Sequence, residues 1–354
     1  MKNNQEKQSL DKISKLVLMI AIVLICFAFF APYLFAHFLI LDFSHTGQIG
    51  DTIGGIMTPF IALAGIGLTF LAFYMQFIAN RTLKEDLEEQ KKQFTKTQFE
   101  NQYYEMLKIH NENVKELFIV GIPESRGRKF FDFILAEFET CYFVVCGSEK
   151  KIENLQMRAK IRIAYQIFFY GLNHFFDENG TKPNSNNMGQ ACRNLDAVSR
   201  KTLKASYRSQ KLLDGIFLPY LQVSLNYLLF QGYYVQLNHY YRHLFLTVKF
   251  VANNTLLTYN EKRNYLRILR AQLSNAEQVM LFYNWFTGLG KDWECTDDVQ
   301  NNKFLTDYRM IHNMPKILLL PGIELEKCFD FNSYAKEEGR VYDPLFEFED
   351  YSKS

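Results

Sequence analysis

The sequence predicts a mainly α protein: an N-terminal transmembrane helical hairpin followed by an all-α cytoplasmic domain with an irregular C-terminal segment. Three observations predict this fold class. Two apolar runs, residues 16–41 and 53–79, each exceed the roughly 20 residues that a helix needs to cross a bilayer. No Lys or Arg lies between these runs, whereas both outer flanks are basic. Apolar residues in the rest of the chain recur at helical spacing, with no alternating strand series.

The basic flanks predict the orientation of the hairpin. Positive residues precede the first run and follow the second, namely Lys2, Lys7, Lys12, Lys15, Arg81, Lys84, Lys91 and Lys92. Positive charge near span ends stays in the cytoplasm, so both termini are expected there. A cleaved signal peptide is the alternative for the first run, but the apolar stretch continues past Pro32, beyond a usual core of roughly 7–15 residues. Even after cleavage, the second run would keep residues 81–354 inside.

This topology divides the chain into five segments. They are a cytoplasmic tail (1–15), the hairpin (16–80), a polar helical stalk (81–98), a cytoplasmic helical domain (99–325) and an acidic, aromatic C-terminal segment (326–354). The stalk places Leu83, Leu87, Gln90 and Phe94 at heptad-like spacing. This seam is too short to establish a coiled coil, so a solvated helix is the simpler interpretation. The interleaved Phe and Tyr of the C-terminal segment predict that it docks on the domain.

Small residues line one face of the second span. They are Gly55, Thr58, Ala62, Gly65, Thr69 and Ala72. Membrane helices associate by close backbone approach, so this face predicts a helix partner. The partner is expected to be the first span, and a second copy of the chain is the alternative. Neither run contains Asp, Glu, Lys or Arg, which favours an anchor over an ion pathway.

Helices in the domain follow from the 3.6-residue period of the apolar residues. The predicted helices after the stalk region are 128–145, 152–176, 191–210, 212–231, 233–252, 260–273 and 275–288. A polar loop is expected at 177–190. Asn260 is the predicted N-cap of the penultimate of these helices. Ser274 and Glu277 fit a capping box, which predicts a bend near Leu273 and a new helix from Asn275.

Composition and motifs exclude several function classes. The net charge of +2 provides no global basic field for nucleic acid. The six cysteines form no C-x-x-C pair, so we expect reduced thiols, no metal and no cofactor. Glycine patterns of nucleotide-binding loops are missing from the sequence, and no His follows an Arg at the spacing of HEPN-type ribonucleases.

Several polar residues remain as candidate catalytic groups. Arg242 and His243 could form a phosphate-handling pair, or could lock helices together through buried hydrogen bonds. On one continuous helix Arg267, Arg270, Ser274, Glu277 and Asn284 would share a face. The capping-box interpretation is sharper, and it places Arg270 near the positive end of the next helix, where Glu277 could compensate its charge. The candidate catalytic residues are Arg242, His243, Arg270 and Glu277.

Four stretches resemble a known family. Residues 98–107 (QFENQYYEML), with His110 and Asn111, resemble the opening helix of the phage abortive-infection protein family, the AbiC-like group. Residues 127–131 (GRKFF) are similar to its Gly-Arg-x-x-Phe element, and 240–244 (YYRHL) to its Tyr-Phe-Arg-His-Leu motif. The segment 270–274 (RAQLS), followed by Glu277 and 282–284 (FYN), resembles its most specific stretch. Ala276 departs from the aromatic residue expected there.

The resemblance implies a role in bacterial defence against phage, and it supplies no established reaction. It singles out the following positions, called the motif residues: Asn101, His110, Asn111, Arg128, Tyr241, Arg242, His243, Arg270, Ser274, Glu277 and Asn284. The expected location is the bacterial inner membrane, and the expected partners are the lipid bilayer, a second copy of the chain, and a phage or host protein or nucleic acid. A ribonuclease-like or nucleotide-binding effector and an oligomeric pore stay open as alternatives.

Overall fold

The computed structural model describes residues 12, 15–30, 33, 48–146, 156–175, 191–197, 227–297, 300–329 and 345–347. The chain divides into two compact units, Met1–Gln98 and Phe99–Ser354, which are called the N-terminal and C-terminal units. Helix α1 (Lys15–Phe30) belongs to the first, and helix α2 (Gln48–Glu116) runs without interruption through residues of both.

The N-terminal unit pairs α1 with the apolar part of α2. The rings of Phe27 and Phe60 meet edge to face at 5.1 Å. Ala21, Ala28 and Ala64 are buried at 3%, 6% and 3% exposure. The less exposed positions of α2 follow a heptad spacing: Met57, Phe60, Ala64, Gly67, Leu71, Tyr74 and Ile78. This spacing is that of two helices packed lengthwise.

From Met57 onward, α2 is long and apolar enough to cross a membrane, judged by length and composition, and no other helix in the described ranges is. The described part of α1 is apolar but shorter, and most of residues 31–41 of the predicted first span lie outside the described residues.

The small-residue face of α2 is a different face from the one that α1 covers. All six of its residues are exposed, and the hydroxyls of Thr58 and Thr69 donate to the carbonyls of Gly54 and Gly65 on their own helix. The expectation that α1 packs on this face is therefore not what the structure has. Alanine and the larger side chains on the other face make the contact with α1.

Within its described residues the C-terminal unit is built from helices, as predicted, with one small strand pair. The helices are α3 (Lys129–Cys146), α4 (Met157–Tyr170), α5 (191–197), α6 (Tyr234–Ala252), α7 (Tyr259–Arg270), α8 (Asn275–Phe286) and α9 (Leu325–Cys328). Strands β1 (Glu294–Asp297) and β2 (Gln300–Lys303) pair antiparallel, with Glu294 opposite Lys303. Four-residue strands are too short to leave an alternation signal in the sequence.

Helix α3 forms the centre of the core, because its side chains are apolar on almost every face. Phe138 contacts Tyr165 at 5.4 Å and Phe168 at 5.5 Å, both on α4, and Tyr283 of α8 at 4.8 Å. Tyr103 of α2 is also fully buried, and its hydroxyl donates to the carbonyl of Tyr265 in α7 at 2.6 Å. Aromatic packing therefore ties α2, α3, α4, α7 and α8 into one core within this unit.

Two predicted helices differ from the structure for a shared reason. The predicted helix 152–176 ends at Tyr170, because Gly171 has φ +85° and a 3-10 turn, Leu172–Phe175, follows. The predicted helix 212–231 does not include residues 227–231, which have irregular backbone with φ +60° at Phe230, while 212–226 lie outside the described residues. A Cβ on Gly171 would lie 2.3 Å from the carbonyl oxygen of Gln231, so these two segments cross in close backbone contact.

Capping boxes set the starts of α7 and α8. Ser274 and Glu277 form the predicted box, since the Ser274 hydroxyl accepts from the Glu277 amide and the Glu277 carboxylate accepts from the Ser274 amide. For α7 the prediction of Asn260 as N-cap is wrong. Thr258 is the N-cap and forms a second box with Glu261, because this pair has the threonine-to-glutamate spacing that satisfies two backbone amides.

The described part of the C-terminal segment packs on the same unit. Leu345 and Phe346 are buried, and the Glu347 amide donates to the His312 carbonyl at 2.9 Å. Phe329 stacks on Trp285 of α8 at 4.8 Å. Residues 330–344 and 348–354 lie outside the described residues.

Candidate functional site

Four side chains from three helices come together in the C-terminal unit, three of them buried and His243 partly exposed. They are His110 of α2, Tyr240 and His243 of α6, and Glu277 of α8, and we call them the buried polar cluster. Three of the four are motif residues from separate parts of the sequence. The resemblance therefore identified residues that the fold brings together.

The carboxylate of Glu277 accepts hydrogen bonds from Ser274 and Tyr240. One carboxylate oxygen accepts from the Ser274 amide at 2.6 Å and the other from the Tyr240 hydroxyl at 3.0 Å. Burial raises the pKa of Glu277, while these hydrogen bonds and the charge of Arg128 oppose the rise. The carboxylate therefore has a structural role, because it caps the start of α8 and joins α8 to α6.

His110 is a buried histidine in an unusual setting. Its side chain is 1% exposed, its ring stacks on His243 at 6.1 Å, and it lies 5.5 Å from Tyr240. Among the described residues, neither ring nitrogen has a hydrogen-bond partner. Burial lowers the pKa of His110 to about 4, and the charges of His243 and Arg128 act in the same direction. His110 is therefore neutral at physiological pH.

A separate group of motif residues lines an open cleft. The cleft has a volume of about 320 Å³ and is bordered by residues of α4, α6, α8 and the loop that follows α8. Three motif residues, Tyr241, Arg242 and Asn284, line it. We call it the Arg242 cleft. A second cleft of about 640 Å³, between Gln102 and Leu256, contains none of the motif residues.

The walls of the Arg242 cleft combine flat apolar rings with a few polar groups. Tyr170 and Tyr234 stack at 5.9 Å, and Trp293 borders the same space. Asn238 and Asp292 add polar groups to the same lining as the exposed Arg242. A guanidinium among aromatic rings can bind carboxylates or phosphates through two hydrogen bonds and can stack on planar groups. This chemistry suits recognition of a protein segment or a nucleic acid.

The four candidate catalytic residues occupy different environments. Arg242 is exposed and lines the cleft, whereas His243, its chain neighbour, is partly buried and packs on His110. Burial lowers the pKa of His243, and His239 adds to this effect. Arg270 donates to the carbonyl of Arg309 at 3.2 Å.

The compensation of Arg270 by Glu277 stays a prediction. Arg128 is the arginine whose charge acts on the Glu277 carboxylate.

The remaining motif residues have individual settings. The Asn111 amide donates to the Gln272 side chain at 3.4 Å, which links α2 to the turn after α7. Asn284 is 5% exposed and donates to the Tyr165 hydroxyl at 3.4 Å. Asn101 is exposed on α2.

The carboxylates that sequence reasoning missed include Glu137, which is fully buried, and Glu294, which is partly buried. Glu137 is fully buried and accepts from the hydroxyls of Tyr227 (2.6 Å) and Tyr233 (2.5 Å) and from the Phe230 amide (2.6 Å). Burial raises its pKa to about 6. Glu137 lies inside the apolar stretch FFDFILAEF, and an acidic residue surrounded by core residues was the signal available. Glu294, which burial brings to a pKa of about 7, had no comparable signal.

Metal binding finds no support in the described part of the chain. No three His, Cys, Asp or Glu side chains there are grouped so that they could hold a metal ion. The pKa of the Cys141 thiol is raised by burial, which makes that thiol unreactive.

Comparison with known protein families gives a match to part of the chain. A family model described as "Putative phage abortive infection protein" matches residues 232–317, and this confirms the resemblance inferred from the motifs at 240–244 and 270–284; the motifs at 98–111 and 127–131 lie outside the matched segment. The matched segment runs from the start of α6 through α8 and the strand pair, and it includes three residues of the buried polar cluster and most of the Arg242 cleft. The match supports a general role in phage defence. Searches of curated proteins and of solved structures found no match to the chain.

Proposed function

We propose that this protein is a membrane-anchored bacterial anti-phage defence protein. Its helical C-terminal unit senses a phage or host component and triggers growth arrest or cell death. The component is a protein or a nucleic acid that binds in the Arg242 cleft. The termini lie in the cytoplasm, and α1 and α2 hold the protein at the inner membrane.

One observation carries the assignment of the cleft. Three motif residues line a single open space, although Asn284 is more than forty residues from Tyr241 and Arg242 in the chain. Buried motif residues such as Glu277 have a structural role, since Glu277 caps α8 and contacts α6. Arg242, in contrast, is an exposed cation on the rim of an aromatic-lined cleft, where structural work does not require it.

The membrane part of the proposal is supported by α2. From Met57 it has the length and composition of a spanning helix, and side chains such as Ile66, Phe70 and Phe73 are 66–67% exposed. Exposed apolar side chains along several turns are unfavourable in water and favourable in lipid.

The test replaces Arg242 with Ala in the full-length protein. The control is Arg162→Ala, since Arg162 is also an exposed arginine of the C-terminal unit but lies outside the cleft. Each variant is expressed in bacteria and challenged with a phage panel, and plaque counts are compared with those on cells carrying the unaltered protein. Protein abundance and melting temperature are measured in parallel.

The proposal expects Arg242→Ala to lose protection at unchanged abundance and melting temperature, and Arg162→Ala to keep it. Full protection by Arg242→Ala would refute the cleft as the recognition site. An enzyme using Arg242 together with His243 and Glu277 predicts another pattern, in which His243→Gln and Glu277→Gln also abolish protection without lowering the melting temperature. A fall in melting temperature that tracks the loss identifies a structural role for those two residues.

A further inference from the structure

The polar stalk carries large apolar side chains that nothing within the described chain covers. Leu83, Leu87 and Phe94 are 57%, 55% and 63% exposed, although their neighbours in sequence are mostly charged or amide residues. Spacings of four and seven residues place these three side chains on one face of α2. This part of α2 follows the apolar span, so lipid does not cover the face either.

The same face continues through the apolar part of α2 in unbroken heptad register. Steps of seven residues connect Leu83 back to Gln76, Thr69, Ala62 and Gly55, and a second row connects Leu87 back to Asn80 and Phe73. All of these residues are exposed. We call this continuous face, from Gly55 to Phe94, the α2 seam.

The α2 seam lies opposite the face that α1 occupies. The less exposed positions of α2, on the face where Phe60 contacts α1, include Ala64, Leu71 and Ile78, each two residues beyond a seam position. Two residues correspond to about 200° around an α-helix. The first helix of the same chain therefore leaves the seam uncovered along its whole length.

We propose that the α2 seam is a homodimer interface, in which α2 of one copy pairs in parallel with α2 of a second copy. The parallel direction rests on the membrane anchoring proposed above, because two copies inserted with the same topology have parallel helices. The occupant is a second copy for two reasons, one from charge and one from the polar residues of the seam.

Charges beside the seam are complementary for a parallel pair. Asp86 immediately precedes Leu87, and Lys91 immediately follows Gln90. In a parallel two-stranded coiled coil these are the flanking positions that meet across the interface, five residues apart, so Asp86 of each copy faces Lys91 of the other. The Arg81–Glu85 ion pair, at 3.2 Å, lies on the outer side of the same turns and does not compete for them.

The polar residues of the seam also suit self-association. In a symmetric pair each seam residue meets its own counterpart. An amide is both donor and acceptor, so the side chains of Gln76 and Asn80 can each form hydrogen bonds with their counterparts across the dimer axis. Glycine, alanine and threonine farther along the seam allow the two helices to approach closely. An Asn at such a position also fixes the register of a parallel pair.

The experiment is cysteine cross-linking of the full-length protein in its native membranes. Leu87→Cys places a thiol on the seam, and Lys92→Cys places one on the outer face of the same stalk, where the side chain is exposed as well. After mild oxidation, non-reducing gels are compared with the unaltered protein, which gives the background from its own six cysteines. We expect a dimer band for Leu87→Cys and only background for Lys92→Cys.

A second arm tests the charge pair. Asp86→Lys in the Leu87→Cys background sets lysine against Lys91 of the partner, and we expect the dimer band to weaken. Adding Lys91→Asp restores complementarity and the band. Equal bands for Leu87→Cys and Lys92→Cys, an adduct with a protein of another size, or no rescue by the charge exchange would each overturn the proposal.

Alkaline extraction of the same membranes separates this inference from the proposed anchoring. Release into the soluble fraction with the Leu87→Cys dimer still formed would support the homodimer interface and refute the membrane anchoring. A protein that stays in the membrane without the dimer keeps the anchor and refutes the seam.

Discussion

Replacing His110 with Phe should remove a large part of the acid sensitivity of the C-terminal unit. His110 is 1% exposed, and burial lowers its pKa to about 4, against 6.5 for an unperturbed histidine. Below pH 6.5 the unfolded chain therefore binds a proton at this position that the folded protein does not take up until about pH 4. Folded stability falls as the pH drops through this window, and phenylalanine has no such proton.

The size of the effect follows from the two pKa values. At pH 5 the histidine costs about 2 kcal/mol of folding free energy relative to neutral pH. For a domain of this size, that corresponds to a difference of about 4–8 °C in melting temperature. The assay is thermal unfolding of the full-length protein in detergent at pH 7.5 and pH 5, for the unaltered protein and for His110→Phe. Buried carboxylates such as Glu137 and Glu139, with pKa values raised to about 6 and 7, titrate in both proteins, so their effects cancel in the comparison.

The control is His174→Phe. His174 is an exposed histidine whose ring stacks on Tyr170 at 5.0 Å, a contact that phenylalanine can keep. We expect this variant to lose as much stability between pH 7.5 and pH 5 as the unaltered protein does, and His110→Phe to lose clearly less. An identical acid response of His110→Phe and the unaltered protein would refute the assignment of a neutral, solvent-shielded imidazole to the buried polar cluster.

Two further substitutions test contacts that shape the site. Tyr240→Phe removes the hydroxyl that donates to the buried Glu277 carboxylate, and chemical denaturation should show a loss of about 1.5–3 kcal/mol, against almost none for the exposed Tyr104→Phe. Gly171→Ala should lower the melting temperature much more than Gly288→Ala, because both glycines have positive φ but a Cβ at Gly171 also meets a backbone carbonyl at 2.3 Å. Equal losses within either pair would contradict the contact concerned.

Local signals were sufficient to predict most helices of the C-terminal unit. Helix α3 has a continuous apolar pattern, and α8 begins at a capping box and ends just before Gly288, so its predicted start is confirmed by the structure. The threonine-to-glutamate box of α7 was also present in the sequence, and choosing Asn260 instead was an error of interpretation.

The path of residues 227–233 could not be predicted, because it depends on contacts between distant segments. Glu137 satisfies the amide of Phe230 and two tyrosine hydroxyls, while the Phe230 carbonyl accepts from the Leu172 amide at 2.9 Å. The two partners of each of these hydrogen bonds are more than fifty residues apart in the chain. A helical pattern in residues 212–231 carries no information about such partners.

For the candidate site, too, the sequence could predict the local features but not the contacts between distant segments. The motifs identified Arg242 and His243, and the 100° between neighbours on a helix anticipates that they point in different directions. The sequence could not reveal that one faces an aromatic cleft and the other a buried histidine, since Tyr170, Trp293 and His110 reach those positions through tertiary packing.

The most direct test of the account compares the full-length protein with a chain that begins at Lys91, in bacteria challenged by a phage panel at low and high ratios of phage to cells. Both proteins are quantified, and the shorter one is checked for cooperative unfolding. We expect the full-length protein to suppress plaques at low phage ratios and its cultures to collapse at high ratios, while the shorter protein does neither. Undiminished protection by a folded, abundant chain without α1 and the span of α2, or no protection by the full-length protein against any phage of the panel, would contradict it.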